Sequence, residues 1–254
     1  MTPAELTELL DCALEAANAG AAELMKRFGG PLDIQTKTSA EDKVTDADLA
    51  SEAIVRGVIS RLRPEDTVSG EELDEHVGAH AKVRWSIDPL DGTVNYTRGI
   101  PYFACSVGAQ DIETGHWVAG AVVAPALGTT YFAQRGGGAW ITRTVGETQH
   151  TTQIFGPPAD RQTKILATGF SYSAAERAAQ FQKLNAMMPE FVDVRRMGSA
   201  ALDACMVADG TVDVYYEKHI KEHDWAAALL IAEEAGQRVK RPEFLGDFGS
   251  VNLD

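Results

Sequence analysis

Apolar residues recur at helical spacing at the start of the chain. Between residues 4 and 28 they repeat every three or four positions, as in Leu6, Leu10 and Leu14, and the sequence FGGP closes the pattern. This spacing predicts a long amphipathic helix that ends at the glycine pair.

The second predicted helix is shorter and is followed by a change of period. Thr45 is a suitable N-cap for a helix over Asp46–Leu62, and Arg63 followed by Pro64 would end it. Beyond it, alternating apolar and polar positions predict short strands separated by ETG, ALG and the glycine run GGG. Together these strands predict an antiparallel meander. The strand segments are DTVSG, VRWSID, YFACSVGAQD, HWVAGAVVAPA and TTYFAQRGGGAW.

The second half of the chain alternates strands and helices. The polar stretch RTVGETQHTTQIFGPPAD predicts a border between an N-terminal half, 1–145, and a C-terminal half, 146–254, which together form one compact unit. After it, strands are predicted in KILATGF, FVDVRR and TVDVYYE, and helices over 174–188, 199–208 and 224–235. The whole pattern predicts layered α and β structure without internal repeats.

Composition narrows the class of protein. The chain has 254 residues, of which 44% are hydrophobic, so it can bury a sizeable core. Its formal net charge of -14 disfavours binding to nucleic acid or to an anionic membrane. Its apolar runs are too short to span a bilayer and its N-terminus lacks a basic signal region, so we expect a cytoplasmic protein without membrane contact. The three cysteines are expected to be buried apolar residues rather than zinc ligands or disulfide partners.

Four carboxylates follow predicted strands in two short stretches. The sequence SGEE places Glu71 and Glu72 after one strand, and IDPLDGT places Asp88 and Asp91 after another. Pro89 would interrupt a central strand and set a bend that turns both aspartates toward one point. Such carboxylates repel one another unless a cation bridges them, and oxygen ligands suit Mg²⁺. These stretches therefore predict a magnesium site, which could also receive an anionic substrate.

The residues after the aspartates predict a phosphate contact. Gly92 and Thr93 would begin a helix whose free N–H groups can hold a phosphate beside the metal. This arrangement suits metal-assisted hydrolysis of a phosphate ester. An acidic pair after a strand is also typical of a solvated loop, and D-G-T of a turn or helix cap, so spacing alone leaves both interpretations open.

Four separated motifs extend the pattern over most of the chain. They are DKVTDAD (42–48), SGEE (69–72), IDPLDGTVNY (87–96) and HDWAAALLIAEEAG (223–236), with GSAALDACMVADGTVDVYYE (198–217) in support. With these motifs in this order, the sequence resembles the inositol monophosphatase family from the first helix to Gly236. The resemblance implies a layered α/β/α/β/α sandwich, an Mg²⁺-dependent and lithium-sensitive phosphatase, and a homodimer.

The resemblance implies two to three Mg²⁺ ions per active site, held by shared carboxylates. The implied ligands are Glu71, Asp88 and the backbone carbonyl of Leu90 at the first site, Asp88, Asp91 and Asp224 at the second, and Glu72 with Glu71 at a weaker third.

The resemblance also implies catalytic and substrate-binding residues. A metal-activated water, oriented by Thr93 and Asp48 and with Glu71 in its network, would attack phosphorus in line while the second metal neutralises the leaving alkoxide. No covalent enzyme intermediate is implied, and Lys37 would lie in an active-site loop. The substrate would be a small phosphorylated polyol, held by Asp91, Gly92, Thr93, Gly198, Ser199, Ala200 and Glu217.

Several of these residues have a simpler explanation or depart from the family pattern. Lys37 is also typical of a surface charge, and Asp48 and Asp224 of acids at helix starts. His219 and His223 are interpreted as bystanders in a turn. Relatives commonly read Trp-Asp where this chain reads His-Asp-Trp, which changes the expected shape of the substrate pocket. Because relatives continue past the last helix, we expect an abbreviated closing strand or the loss of the final helix.

The identity of the phosphate ester is the open choice. The stretches DGTVNY and RGIP resemble inositol monophosphatases more than the branch that acts on adenosine 3',5'-bisphosphate, whose motif usually has a Lys-Glu pair after D-G-T, so the resemblance implies inositol 1-phosphate. Histidinol phosphate and fructose 1,6-bisphosphate are alternatives within the same superfamily. A regulatory binding protein with vestigial activity is the alternative of a different class.

Overall fold

The helices of the protein match the apolar periodicity closely. The computed structural model describes residues 1–31, 34–36, 43–244 and 246–253. Short 3-10 turns occur at Pro125–Leu127 and Met188–Glu190. The α-helices in these ranges are α1 (Pro3–Arg27), α2 (Asp46–Leu62), α3 (Thr93–Thr97), α4 (Ala174–Met187), α5 (Ala200–Ala208) and α6 (Glu222–Glu234).

The strands in the same ranges form two large sheets and one pair. β1 and β2 pair antiparallel with each other. The strands are β1 (Ile34–Thr36), β2 (Lys43–Thr45), β3 (Thr67–Gly70), β4 (Val83–Asp91), β5 (Ala104–Asp111), β6 (Trp117–Ala124), β7 (Thr129–Gln134), β8 (Ala139–Val145), β9 (Thr148–Ile154), β10 (Ile165–Thr168), β11 (Asp193–Arg195), β12 (Val214–Lys218), β13 (Val239–Lys240) and β14 (Phe248–Val251).

Capping fixes the starts of the first two helices. At α1, Glu5 N–H donates to the Thr2 hydroxyl at 3.3 Å, and Thr2 N–H donates to the Glu5 carboxylate at 2.6 Å. At α2, the Thr45 hydroxyl accepts from Ala47 N–H at 3.1 Å, which confirms the predicted N-cap. Both helices therefore begin where their side chains replace the missing intrahelical hydrogen bonds.

The first large sheet has seven strands in the order β3-β4-β5-β6-β7-β8-β9. From β4 to β9 all neighbours pair antiparallel, as the meander prediction states. The prediction is wrong for β3, which pairs parallel to β4. The twelve-residue connection between them is long enough for the crossover that parallel strands need.

The polar stretch chosen as a border forms a hairpin. β9 pairs antiparallel with β8, and its residues are exposed except for Ile154, so it carries no apolar alternation that would predict a strand. TTYFAQRGGGAW forms β7 and the start of β8, and the glycine run lies between them as a strand separator, as predicted. The sequence at 145 therefore marks an exposed hairpin turn, and the division into halves stays a prediction.

The second large sheet has five strands in the order β11-β10-β12-β14-β13. β10 pairs parallel to β11 and β12, whereas β14 pairs antiparallel to β12 and β13. After α6 the chain forms only β13 and β14, and no helix follows α6 within the described ranges.

Five layers result from the packing of helices on the two sheets. α1 and α2 cover one face of the seven-stranded sheet, in a core that includes Leu24 and Trp85. α5 and α6 fill the space between the sheets, where Leu230 meets Tyr215 in one cluster. α4 covers the outer face of the five-stranded sheet through Met187. The predicted α/β/α/β/α sandwich is therefore confirmed.

The cysteines and the longest apolar segments behave as ordinary core. Cys12, Cys105 and Cys205 are buried and free, as predicted. Among the helices that the structure describes, none combines the length and hydropathy needed to cross a bilayer.

Candidate active site

A cavity of about 290 Å³ lies where the end of β4 meets the starts of α3, α5 and α6. Most of the residues assigned from the sequence line it, although they come from distant parts of the chain. Asp48 and Glu72 do not line it, and Lys37 lies outside the described residues. The assigned residues in the lining are Glu71, Asp88, Leu90, Asp91, Gly92, Thr93, Gly198, Ser199, Ala200, Glu217 and Asp224.

The bend between the two aspartates lies inside β4. Asp88 pairs with Ser106 of β5, the register then shifts, and Asp91 pairs with Ala104. The prediction that Pro89 stops a central strand is therefore wrong, because the irregularity absorbs the proline and the strand resumes. Leu90 N–H donates to Asp88 Oδ1 at 3.0 Å across this bend.

Asp91 is held by the N-terminus of α5. Its carboxylate accepts hydrogen bonds from the Ser199 hydroxyl at 2.6 Å, Ala201 N–H at 2.7 Å and Ala200 N–H at 3.3 Å. This capping joins the two large sheets at the cavity, because α5 lies between them. Ser199 and Ala200 therefore orient Asp91, and their assignment as direct substrate contacts stays a prediction.

Two glycines allow the backbone to close the cavity floor. Gly92 and Gly198 have φ of 99° and 97°, a region that favours glycine. A Cβ on Gly92 would lie 3.2 Å from the Gly198 carbonyl oxygen, so the two backbones are in close contact. The Asn95 amide donates to the carbonyls of Tyr102 at 2.7 Å and Met197 at 2.8 Å. Asn95 had no role assigned from the sequence, although it belongs to the motif DGTVNY.

Asp48 serves both interpretations proposed for it. Its Oδ2 accepts from Thr45 N–H at 2.8 Å and from the Thr45 hydroxyl at 2.5 Å, which closes the cap of α2. Its Oδ1 lies 3.2 Å from the Thr93 hydroxyl, which is also 3.1 Å from the Leu90 carbonyl. The cap thus fixes one carboxylate oxygen and directs the other toward Thr93.

The SGEE loop is held by a residue that the sequence analysis missed. Glu52, on α2, accepts from Glu72 N–H at 2.8 Å and Leu73 N–H at 3.2 Å, and pairs with Arg56 at 2.8 Å. Its side chain is fully buried. An acid in mid-helix gives no sequence signal of this role. Glu72, whose N–H is used here, belongs to neither ligand group described below, so its assignment as a metal ligand stays a prediction.

The ligand atoms at the cavity converge in two groups. Carboxylate oxygens of Asp88, Asp91 and Asp224 lie within 4.8 Å of one another. Glu71 and Asp88 form the second group together with an imidazole nitrogen of His223. The prediction that His223 lies in a turn is wrong, because it lies in the first turn of α6, beside Glu71 and Asp88.

The model of the inositol monophosphatase family matches residues 5–245. This chain belongs to the inositol monophosphatase family. It is 42% identical to the inositol-1-monophosphatase of Mycobacterium leprae over 87% of this chain and 75% of that protein. It is 36% identical to the Nus factor SuhB of Vibrio cholerae over 90% of this chain and 83% of that protein.

The fold agrees with solved structures from the same family. The extragenic suppressor protein suhB from Bartonella henselae superposes with a TM-score of 0.84 at 29% identity, over 96% of this chain and 93% of that one. The layered architecture of this inositol monophosphatase family member is thus shared across its length.

Burial makes the carboxylates of this family member hard to ionise. It raises the pKa of Asp88 well above its usual range, with Glu71 as the next cause. Burial, followed by the charge of Asp224, raises the pKa of Asp91 to about 7. Burial likewise raises the pKa of Asp224, and raises that of Glu217 to about 8. A bound divalent cation would offset this concentrated negative charge.

Proposed function

We propose that this protein is an Mg²⁺-dependent phosphate monoester hydrolase that prefers inositol 1-phosphate. The observation that carries the proposal is the convergence of Asp88, Asp91 and Asp224 on one cavity in a chain of this family. The 42% identity to a protein named inositol-1-monophosphatase supports the substrate. A phosphorylated polyol is also the chemistry that a cavity lined by carboxylates and backbone groups suits.

The donor set supports Mg²⁺ as the cofactor. Asp88, Asp91 and Asp224 offer only oxygen atoms, which hard cations prefer, and their raised pKa values favour a bound positive charge. When bound, Mg²⁺ supplies neutralisation of phosphate charge and activation of water. We propose two to three ions per site, with Glu71, the Leu90 carbonyl and Glu72 as further ligands.

Thr93 and Asp48 are proposed to orient the attacking water. The Thr93 hydroxyl lies at hydrogen-bond distance from Asp48 Oδ1, so its proton can point to the buried carboxylate. The lone pairs of its oxygen then face the cavity and can accept a hydrogen bond from water. This orientation favours in-line attack on a phosphorus atom held above Gly92.

We propose that residues of the cavity floor and of one cavity wall bind the substrate. The backbone of Gly92 and Thr93 would contact phosphate oxygens, and Asp91, Gly198, Ser199, Ala200 and Glu217 would surround the polyol. Arg196 and Lys221 also line the cavity, and their positive charge would attract an anionic substrate in an otherwise acidic protein. Lys37 is proposed to act from an active-site loop, as the family resemblance implies.

The first prediction tests this function with a phosphate-release panel. Inositol 1-phosphate, histidinol phosphate, fructose 1,6-bisphosphate and adenosine 3',5'-bisphosphate are each supplied with and without Mg²⁺ and with added Li⁺. We expect inositol 1-phosphate to give the highest kcat/KM, with dependence on Mg²⁺ and inhibition by Li⁺. Release no faster than that of an Asp88→Asn variant would contradict the assignment, and a higher kcat/KM on another ester would move the preference to that substrate.

A regulatory binding role is the second candidate function. Relatives that are 34% to 36% identical to this chain carry the name Nus factor SuhB, which favours it. Equally low rates on all four esters would support this reading. We further propose that the protein is a cytoplasmic homodimer, as the family resemblance implies.

A further inference from the structure

His223 brings an imidazole to the carboxylates at one side of the cavity. It lies directly before Asp224 in α6, and its side chain is 12% exposed. Its Nε2 is 3.6 Å from Asp224 Oδ1, which exceeds hydrogen-bond length. Within the described part of the chain, no hydrogen bond occupies this imidazole. A largely buried nitrogen donor is therefore available at the acidic cluster.

The spacing of this group fits a single cation. An imidazole nitrogen of His223 and carboxylate oxygens of Glu71 and Asp88 all lie within 4.8 Å of one another. Ligands that bind one cation at ~2.1 Å lie ~3 Å apart when adjacent and ~4.2 Å apart when opposite. Small side-chain rotations would therefore bring all three atoms to bonding distance.

Nitrogen and oxygen donors select different cations. Mg²⁺ prefers oxygen ligands and keeps several waters, whereas imidazole suits first-row transition metals such as Mn²⁺, Co²⁺ and Zn²⁺. The group of Asp88, Asp91 and Asp224 offers oxygen alone. The two groups share Asp88 but differ in the chemistry of their remaining donors.

The geometry points to His223 as a nitrogen ligand of the cation between Glu71 and Asp88, which makes that position selective for a first-row transition metal over Mg²⁺. This inference rests on the proposed metal-dependent function and deepens it. Mg²⁺ can occupy both positions, but a first-row transition metal, where one is present, would replace it at Glu71 and Asp88, whereas the oxygen-only group would retain Mg²⁺. Because the proposed ligand is a nitrogen atom rather than an oxygen atom, its bond to a metal can be detected without measuring any turnover.

The second prediction measures the nitrogen ligand directly. Metal is removed from the full chain with a chelator, one equivalent of Mn²⁺ is added, and electron spin-echo modulation is recorded. We expect modulation from a coordinated ¹⁴N, replaced by the ¹⁵N pattern in protein labelled at histidine. In a His223→Gln variant the modulation should vanish, and the Kd for Mn²⁺ should rise at least ~10-fold while that for Mg²⁺ changes less than ~3-fold.

A matched histidine provides the control. His219 lines the same cavity but belongs to neither ligand group, so His219→Gln should keep the modulation and the Mn²⁺ affinity. Bound Mn²⁺ without histidine coupling in the unmutated protein would overturn the role of His223, whether or not the variant folds. Histidine coupling without metal-dependent phosphate release would instead overturn the proposed function, and no Mn²⁺ binding at all would overturn the His223 ligand.

Discussion

Two kinds of buried acid occur in this protein. Asp66 is 4% exposed and is bound by the Arg63 guanidinium at 2.8 Å and by the Trp85 indole N–H at 2.9 Å. Asp88 is 1% exposed, and no Lys or Arg lies within ion-pair distance of it among the described residues. Equal burial therefore comes with opposite electrostatic surroundings.

This difference separates structural acids from functional ones. A buried carboxylate beside a guanidinium is satisfied by the fold alone, and removing it leaves a charge without its partner. A buried carboxylate surrounded by other acids is satisfied only by a proton or by a cation from outside. The partners of an acid, more than its burial, thus indicate where this molecule is built to bind a metal.

The largest expected effect is the loss of phosphatase activity when Asp88 is neutralised. Asp88→Asn should lower kcat/KM more than ~100-fold, because it replaces the carboxylate that belongs to both ligand groups by an uncharged amide. In chelator at pH 8 the same variant should be at least as stable as the unmutated protein, since it removes a buried charge. Phosphate release and urea unfolding measure the two effects.

The matched variant Asp66→Asn should show the reverse pattern. It should keep kcat/KM within about threefold and lower the free energy of unfolding by ~1 to ~3 kcal/mol, because Arg63 loses its partner. The comparison fails if Asp88→Asn destabilises the metal-free protein as much as Asp66→Asn does.

The sequence predicted the layered fold and most of the residues that line the cavity. It did not predict the hydrogen bonds that position those residues. Asp88 and Asp224 belong to the motifs that resemble the family, so the resemblance predicts that they lie close together. Glu52 is different, because its two acceptor bonds to the SGEE loop depend on how α2 packs beside β3. β9 was missed for a related reason, since an exposed strand needs no apolar alternation.

His223 lies where the sequence departs from the family pattern. His-Asp-Trp stands where relatives commonly read Trp-Asp, and from the sequence this change predicts only a different shape of the substrate pocket. Which face of the first turn of α6 meets Glu71 depends on tertiary packing, and short-range spacing does not encode it. Its position beside Glu71 and Asp88 is therefore evident only from the structure.

The next effect concerns pH in the absence of metal. Asp91 and Glu217 have pKa values raised to about 7 and about 8, whereas in the unfolded chain they ionise near their ordinary values of 3.8 and 4.5. Between these limits the folded state holds protons that the unfolded state has released. The free energy of unfolding should therefore fall as pH rises from about 4 to about 8, by up to ~1.4 kcal/mol per pH unit for each group.

Urea unfolding in chelator at pH 5.5, 7.0 and 8.5 measures this slope. Glu217→Gln should make it shallower by the contribution of one group, because glutamine does not ionise. Saturating Mg²⁺ should raise stability most at pH 8.5, where the carboxylates are charged. A metal-free stability that stays level or rises over this range would contradict the electrostatic account of the cavity.

The smallest expected effect concerns Glu52. It tests whether a buried acid that forms an ion pair can also position the metal ligands. Glu52 resembles Asp66 in having a guanidinium partner, yet it also holds the loop that carries Glu71. Glu52→Gln keeps one acceptor oxygen but turns an amide toward a backbone N–H, so the loop should shift. We expect ~10-fold weaker Mn²⁺ binding by calorimetry, the size typical of residues that orient metal ligands.

Asp213→Asn separates this positioning effect from a general loss of stability. Asp213 is buried, pairs with Arg161 at 3.1 Å and accepts from Ile165 N–H at 2.8 Å, but it lies in the five-stranded sheet region away from the SGEE loop. Its variant should lose stability comparable to Glu52→Gln and keep the Mn²⁺ Kd. If both variants lost Mn²⁺ affinity equally, the loss would reflect reduced stability alone. Glu52 would then have a structural role, as Asp66 does.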